Sequence, residues 1–140
     1  MKKTILVLFS AIAILVSSCD NEMTVPQEQL PAKSQQFLEQ YFGDFDISYI
    51  IEDYDSYEVK LVNGYEIEFC KNGNWKEVDC KNDPIPAGIA PQSIYDYVNT
   101  NFATNFIVKI SHDRKGYEVE LNNDLELEFD KHGNFKRIDD

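Results

Sequence analysis

The stretch Tyr57-Glu58-Val59-Lys60-Leu61-Val62-Asn63-Gly64-Tyr65-Glu66-Ile67-Glu68-Phe69 decides the fold. Apolar and polar residues alternate on both sides of Val62-Asn63-Gly64, which is the period of a half-buried strand. A three-residue loop with Gly64 left-handed sets Leu61 against Tyr65, Val59 against Ile67 and Tyr57 against Phe69, so that one face is wholly apolar. The other face then carries Glu58 opposite Glu68 and Lys60 opposite Glu66. A two-residue turn at Asn63-Gly64 would mix apolar and acidic residues on both faces and is rejected for that reason.

Working outward, Tyr57-Glu58-Val59-Lys60-Leu61 recurs as Tyr117-Glu118-Val119-Glu120-Leu121, and the offset of 60 residues holds without a gap. It carries Pro31 onto Pro91, Phe42 onto Phe102, Glu66-Ile67-Glu68-Phe69 onto Glu126-Leu127-Glu128-Phe129, and Gly73-Asn74-Trp75-Lys76 onto Gly133-Asn134-Phe135-Lys136. In the second copy the loop Asn122-Asn123-Asp124 sets Glu118 opposite Glu128 and Glu120 opposite Glu126. Directly opposed like charges destabilise a sheet by a few tenths to about 1 kcal/mol each. Lys76 and Lys136 on the next strand can offset them, or a cationic partner can.

Upstream of each hairpin, Pro31 and Pro91 are placed to open a helix in its first turn. Apolar stripes follow at helical spacing, Phe37, Leu38, Tyr41 and Phe42 in one copy and Ile94, Tyr97, Val98 and Phe102 in the other. β-rich segments at 47–53 and 107–113 precede the hairpins. The expected fold is therefore α+β, two tandem units of one helix and a four-stranded antiparallel sheet, at residues 30–80 and 89–140. Asp83-Pro84-Ile85-Pro86-Ala87-Gly88 gives residues 81–88 the composition of a linker. Trp75 and Val78 are three apart, as are Phe135 and Ile138, which breaks the alternation and predicts a bulge in the last strand of each unit. Trp75 then either fills the core, as Phe135 would, or is re-aimed out of it.

The first residues carry an address. Met1-Lys2-Lys3 precedes an apolar run from Ile5 to Val16, too short to span a bilayer, and Ser17-Ser18 lead into Cys19. Val16-Ser17-Ser18-Cys19 resembles the lipobox of bacterial lipoproteins, in which the cysteine is acylated and becomes the new N-terminus. The expectation is a signal peptide at 1–18, lipid on Cys19, and a tether at 19–29. Stable anchoring follows, because two or three acyl chains far exceed the marginal binding of one. A tether of about ten residues reaches at most roughly 35 Å from the membrane. The location expected is the cell envelope, in the periplasm or on the outer membrane, with membrane contact through the lipid alone.

The full sequence has a net charge of −12, and loss of Lys2 and Lys3 with the signal leaves 11 basic against 25 acidic residues. Nucleic acid is excluded as a partner by repulsion from phosphate. Cys70 and Cys80 sit about five residues out of step along their hairpin, so a disulfide would need the last strand to bend back after Glu77. No zinc-ligand spacing accompanies them. His112 and His132, matched by Glu52 and Asn72, read as solvated. Asp53-Tyr54-Asp55 resembles a fragment of a calcium loop but lacks its glycine and terminal glutamate. Neither a GxSxG elbow nor an HExxH pair is present.

The repeated Tyr-x-Val-x-Leu, Glu-x-Glu-Phe, Gly-Asn-Trp/Phe-Lys and Val/Ile-Asp strings, behind a Pro-started helix and a lipobox, resemble the PepSY-like family of β-lactamase-inhibitor-like lipoproteins of Bacteroides-type bacteria. The resemblance implies a fold like the β-lactamase inhibitor protein and a role in binding or inhibiting another protein; it transfers no inhibitory residue. The function expected is a non-enzymatic, monomeric binding module with no cofactor and no assigned metal ligands. Its candidate binding face is Glu58, Glu66, Glu68, Trp75, Glu118, Glu120, Glu126 and Glu128, directed at a protein with a cationic surface. The alternative is a receptor for a cation or small cationic ligand.

Overall fold

The computed structural model describes residues 23–139. The expected signal peptide and the expected lipidation site, Cys19, lie outside the described residues. Alternating sequences here become strands because each offers one apolar face, and the strands follow one another in chain order. They are β1 (Met23–Thr24), β2 (Ile47–Glu52), β3 (Ser56–Leu61), β4 (Glu66–Cys70), β5 (Trp75–Asp79), β6 (Ile107–His112), β7 (Gly116–Leu121), β8 (Glu126–Asp130) and β9 (Phe135–Asp139). All nine join into one antiparallel sheet whose spatial order is β1 to β9. Two helices, α1 (Ala32–Phe42) and α2 (Gln92–Asn101), cover one side.

The hairpin register follows the expected one. Tyr57 faces Phe69, Glu58 faces Glu68, Val59 faces Ile67 and Lys60 faces Glu66, with the same pattern 60 residues on. Gly64 takes φ +97° in the three-residue loop, and Asp124 takes φ +68° in its counterpart. The predicted bulges are present, since the register slips between Glu68 and Phe69, and again between Glu128 and Phe129.

Three features depart from expectation. The two four-stranded runs are not separate sheets, because Glu77, Val78 and Asp79 of β5 pair with Ser111, Ile110 and Lys109 of β6. An unpaired β5 would leave backbone groups open beside an apolar row that β6 can continue, so closure of this seam satisfies both. Residues 23–29, read as the end of a tether, carry β1 and a 3₁₀ turn at Gln27–Gln29, with Val25 and Leu30 buried. The two prolines sit at the N-cap of each helix, one residue earlier than predicted.

The core fills the space between helices and sheet. Leu38 and Phe42 of α1, and Ile94 and Val98 of α2, pack on Val59, Ile67, Phe69, Ile110, Val119, Leu127 and Phe129. Ser34, fully buried on the core side of α1, donates through Oγ to the Gly73 carbonyl oxygen at 3.0 Å. Ser93 of α2, exposed and one position earlier in the repeat than Ser34, donates to the Gly133 carbonyl oxygen at 2.9 Å. These bonds tie each helix to the last turn of its own four strands, and that of Ser34 satisfies a hydroxyl that burial would otherwise penalise.

Residues 81–88 are strapped to the sheet. The Cys80 and Ile85 amides donate to the Val108 and Ile107 carbonyls, Tyr95 Oη donates to Pro86 O at 2.9 Å, and Tyr41 Oη donates to Gly88 O at 3.1 Å. Cys80 is fully buried, and burial pushes its thiol up to about 12. Both Cys70 and Cys80 are free thiols. Among the described residues, no helix is long and apolar enough to cross a membrane.

Candidate functional site: the acidic open face

Strict alternation places every second strand residue on the side away from the helices. Two rows of polar side chains result, running across the seam. One passes through Glu58, Glu68, Glu77, Ser111, Glu118, Glu128 and Arg137. The other passes through Lys60, Glu66, Asp79, Lys109, Glu120, Glu126 and Asp139. The candidate residues Glu58, Glu66, Glu68, Glu118, Glu120, Glu126 and Glu128 therefore share one face. Trp75 does not. It lies on the helix side, stacked at 6.4 Å on Phe37, with His112 at 4.1 Å and Tyr117 at 6.5 Å from its ring.

His112 is half-buried and not the solvated residue expected. Its Nε2–H donates to the Trp75 carbonyl oxygen at 2.7 Å, closing the end of the β5–β6 seam where the bulge takes the Trp75 backbone out of register. His132 is exposed, as expected.

The two halves treat their carboxylates differently. In the first, Lys60 pairs with Glu66, Lys76 reaches Glu68 at 3.1 Å, and Lys81 bridges Glu66 at 3.2 Å and Asp79 at 3.0 Å. The bond from Lys60 holds the Glu66 carboxyl below its ordinary value. In the second, Glu120 replaces Lys60, and Glu128 is answered by Arg137 rather than by the expected Lys136. Arg137 grips it in a fork, Nε to Oε2 at 2.9 Å and Nη2 to Oε1 at 3.0 Å.

Glu118, Glu128 and Asp139 come together there, with one carboxylate oxygen of each within 4.8 Å of the other two. Desolvation, with the charges of Glu126, Asp139 and Glu128, raises the Glu118 carboxyl above its ordinary value. Asp139 was missed as a site residue because simple alternation puts it with Phe135 on the helix side. The bulge predicted from the Phe135 to Ile138 spacing reverses that phase and was the available signal. An open groove of about 500 Å³ adjoins the trio, lined in part by His112, Tyr117, Glu118, Glu128, Lys136 and Arg137.

Oxygen donors on one Ca²⁺ at 2.3–2.6 Å can lie no further apart than about 5 Å. The trio meets that limit and offers hard ligands only, the set preferred by Ca²⁺ or Mg²⁺ over softer metals.

Fold and site together define an open antiparallel sheet, covered by helices on one side and carrying rows of carboxylates on the other. The chain belongs to the family described as "Putative beta-lactamase-inhibitor-like, PepSY-like", whose model matches residues 55–137. A "putative calcium-regulated periplasmic protein" of Bacteroides thetaiotaomicron is similar to it at 40% identity, over 87% of this chain and 99% of that one, with a TM-score of 0.83. A "putative periplasmic protein of unknown function" from Bacteroides vulgatus is similar at 36% identity, over 86% and 100%, with a TM-score of 0.82. No functionally curated protein matches.

Proposed function

We propose that this is a non-enzymatic binding protein of the cell envelope, anchored through Cys19, whose acidic face takes up a divalent cation at Glu118, Glu128 and Asp139. The observation that carries the reading is the convergence of three carboxylate oxygens within 4.8 Å of one another. Desolvation first, and then the charges of Glu126, Asp139 and Glu128, hold the Glu118 carboxyl above its ordinary value, and a bound cation would offset both. In this reading the repeated helix-plus-four-strand pattern has diverged in charge, one copy answered by several lysines and the other by Arg137 on Glu128, with Glu118 and Asp139 beside it for the ligand. The description of the Bacteroides thetaiotaomicron relative as calcium-regulated supports the choice of ion.

Calorimetry on the exported chain should give Ca²⁺ binding at about 10⁻⁴–10⁻³ M, the range of extracellular modules, with Mg²⁺ weaker because it dehydrates reluctantly. Glu118→Gln should abolish that heat. In chelator the same variant should melt no lower than the wild type, because it removes a repulsion. A carboxyl raised on folding binds its proton more tightly in the folded state. Measured against Glu118→Gln, the calcium-free wild type should therefore gain stability as pH falls through the raised Glu118 value, on top of the loss that the lowered carboxyls of both proteins share. Absence of binding heat, or an unchanged Glu118→Gln, would remove calcium from the account.

A second reading keeps the same face and takes a protein with a cationic surface. It rests on the two charged rows continuing across the seam. Envelope pull-downs that depend on Glu66, Glu68, Glu120 and Glu126 while calorimetry stays silent would favour it. Anchoring has its own measurement: labelled palmitate should enter the wild-type chain and be lost from Cys19→Ser. A labelled Cys19→Ser chain would refute lipidation there.

A further inference from the structure

The apolar row that crosses the helix side of the sheet runs Ile50, Val59, Ile67, Val78, Ile110, Val119, Leu127, Ile138. Its members as far as Leu127 are at most 2% exposed, whereas Ile138 is 47% exposed. Position explains the difference: β9 is the last strand in the sheet order.

The β9 backbone is directed to match. Along an antiparallel ladder, successive residues turn their N–H and C=O to opposite neighbours. The Leu121 amide bonds the Leu125 carbonyl at 2.9 Å, and the Asp130 amide bonds the Asn134 carbonyl at 2.8 Å. Even-numbered residues of β8 therefore bond toward β9, where Glu128 meets Arg137 and Glu126 meets Asp139. Between those two, Ile138 turns its N–H and C=O to the open edge.

The charges along this edge are ordered as Lys136-Arg137-Ile138-Asp139. Laid antiparallel on itself about Ile138, the string sets Arg137 opposite Asp139. About Arg137 it would oppose two arginines instead. Charged edge strands ordinarily discourage pairing; here they permit one register and penalise the neighbouring one.

We infer that β9 is a self-pairing edge, to which a second copy of this chain adds its own β9 antiparallel about a two-fold axis at Ile138. The two Ile138 side chains cover each other, their main chains exchange N–H···O bonds, and Arg137 of each copy faces Asp139 of the other. Arg137 spends two donors on Glu128, and a guanidinium has five. The opposite edge, β1, has two residues, so the pairing closes as a dimer and does not propagate. This inference shares Asp139 with the cation reading but rests on the β9 edge and not on a bound ion, and its test is run in chelator so that the two readings fail separately.

Ile138→Cys in the full chain, under mild oxidation, should give a disulfide-linked dimer as the main species on a non-reducing gel. Opposed residues of such a pair stand about 5.5 Å apart at Cα, within bridging range. Met23→Cys on the other edge, and the wild type with its native cysteines, should not give that dimer. By sedimentation, Arg137→Asp and Asp139→Arg should each weaken association at least about tenfold. The double charge swap should restore it, which also reports that the edge still folds. Absence of an Ile138→Cys dimer, or association indifferent to the single swaps, would overturn the pairing.

Discussion

Gly116→Ala is expected to lower stability by about 2–4 kcal/mol and the melting temperature by about 10 °C. Gly116 opens β7 at φ +151°, opposite Asp130. A Cβ there would overlap the Phe129 carbonyl oxygen and lie 2.7 Å from the Asp130 carbonyl carbon, so backbone, not a flexible side chain, would have to give way. Gly64→Ala is the control. That glycine also has a positive φ, +97°, but no atom lies within 4 Å of the added carbon, so its cost should stay near the 1–2 kcal/mol of a left-handed residue alone. Equal melting temperatures for the two variants would show that overlap at Gly116 is relieved more cheaply than the geometry implies.

Phe69→Ala should cost about 3–5 kcal/mol, the range for emptying a fully buried aromatic site. Phe69 is completely buried and meets Phe37 edge-on at 5.5 Å, as Phe129 meets Tyr97 at 5.5 Å in the other half. The more telling outcome concerns cooperativity. Because the β5–β6 seam makes one sheet, Phe69→Ala and Phe129→Ala should both shift the fluorescence transition of Trp75, and this transition should coincide with loss of far-UV circular dichroism. Trp75 suits the purpose, being the single tryptophan and packed across the seam on His112 and Tyr117. A Phe129→Ala variant in which Trp75 melts at the wild-type temperature would show that the halves unfold separately.

Much of the face was legible because it depends on local periodicity. Glu58 opposite Glu68, and Glu118 opposite Glu128, follow from loop length and alternation alone. Trp75 was ambiguous for a physical reason, since a bulge moves the side-chain phase by one and spacing does not say to which side. His112 was misread because its partner, the Trp75 carbonyl, is 37 residues away. Asp139 joined Glu118 and Glu128 only once the bulge had been located in the ladder.

By itself, the sequence determined the repeat of 60 residues, the hairpin registers, the bulges, the helix faces and the acidic character of the outer side. All of these rest on interactions within a few residues or across one tight turn. Tertiary structure alone decided that the two four-stranded runs share a sheet, that residues 23–29 add to its first edge, and which carboxylates lie within ligand distance. Those depend on pairing between strands joined by long connections, where Val78 must find Ile110. The alternating pattern that makes β5 and β6 strands leaves their choice of neighbour open, and it is burial of the shared apolar row that selects it.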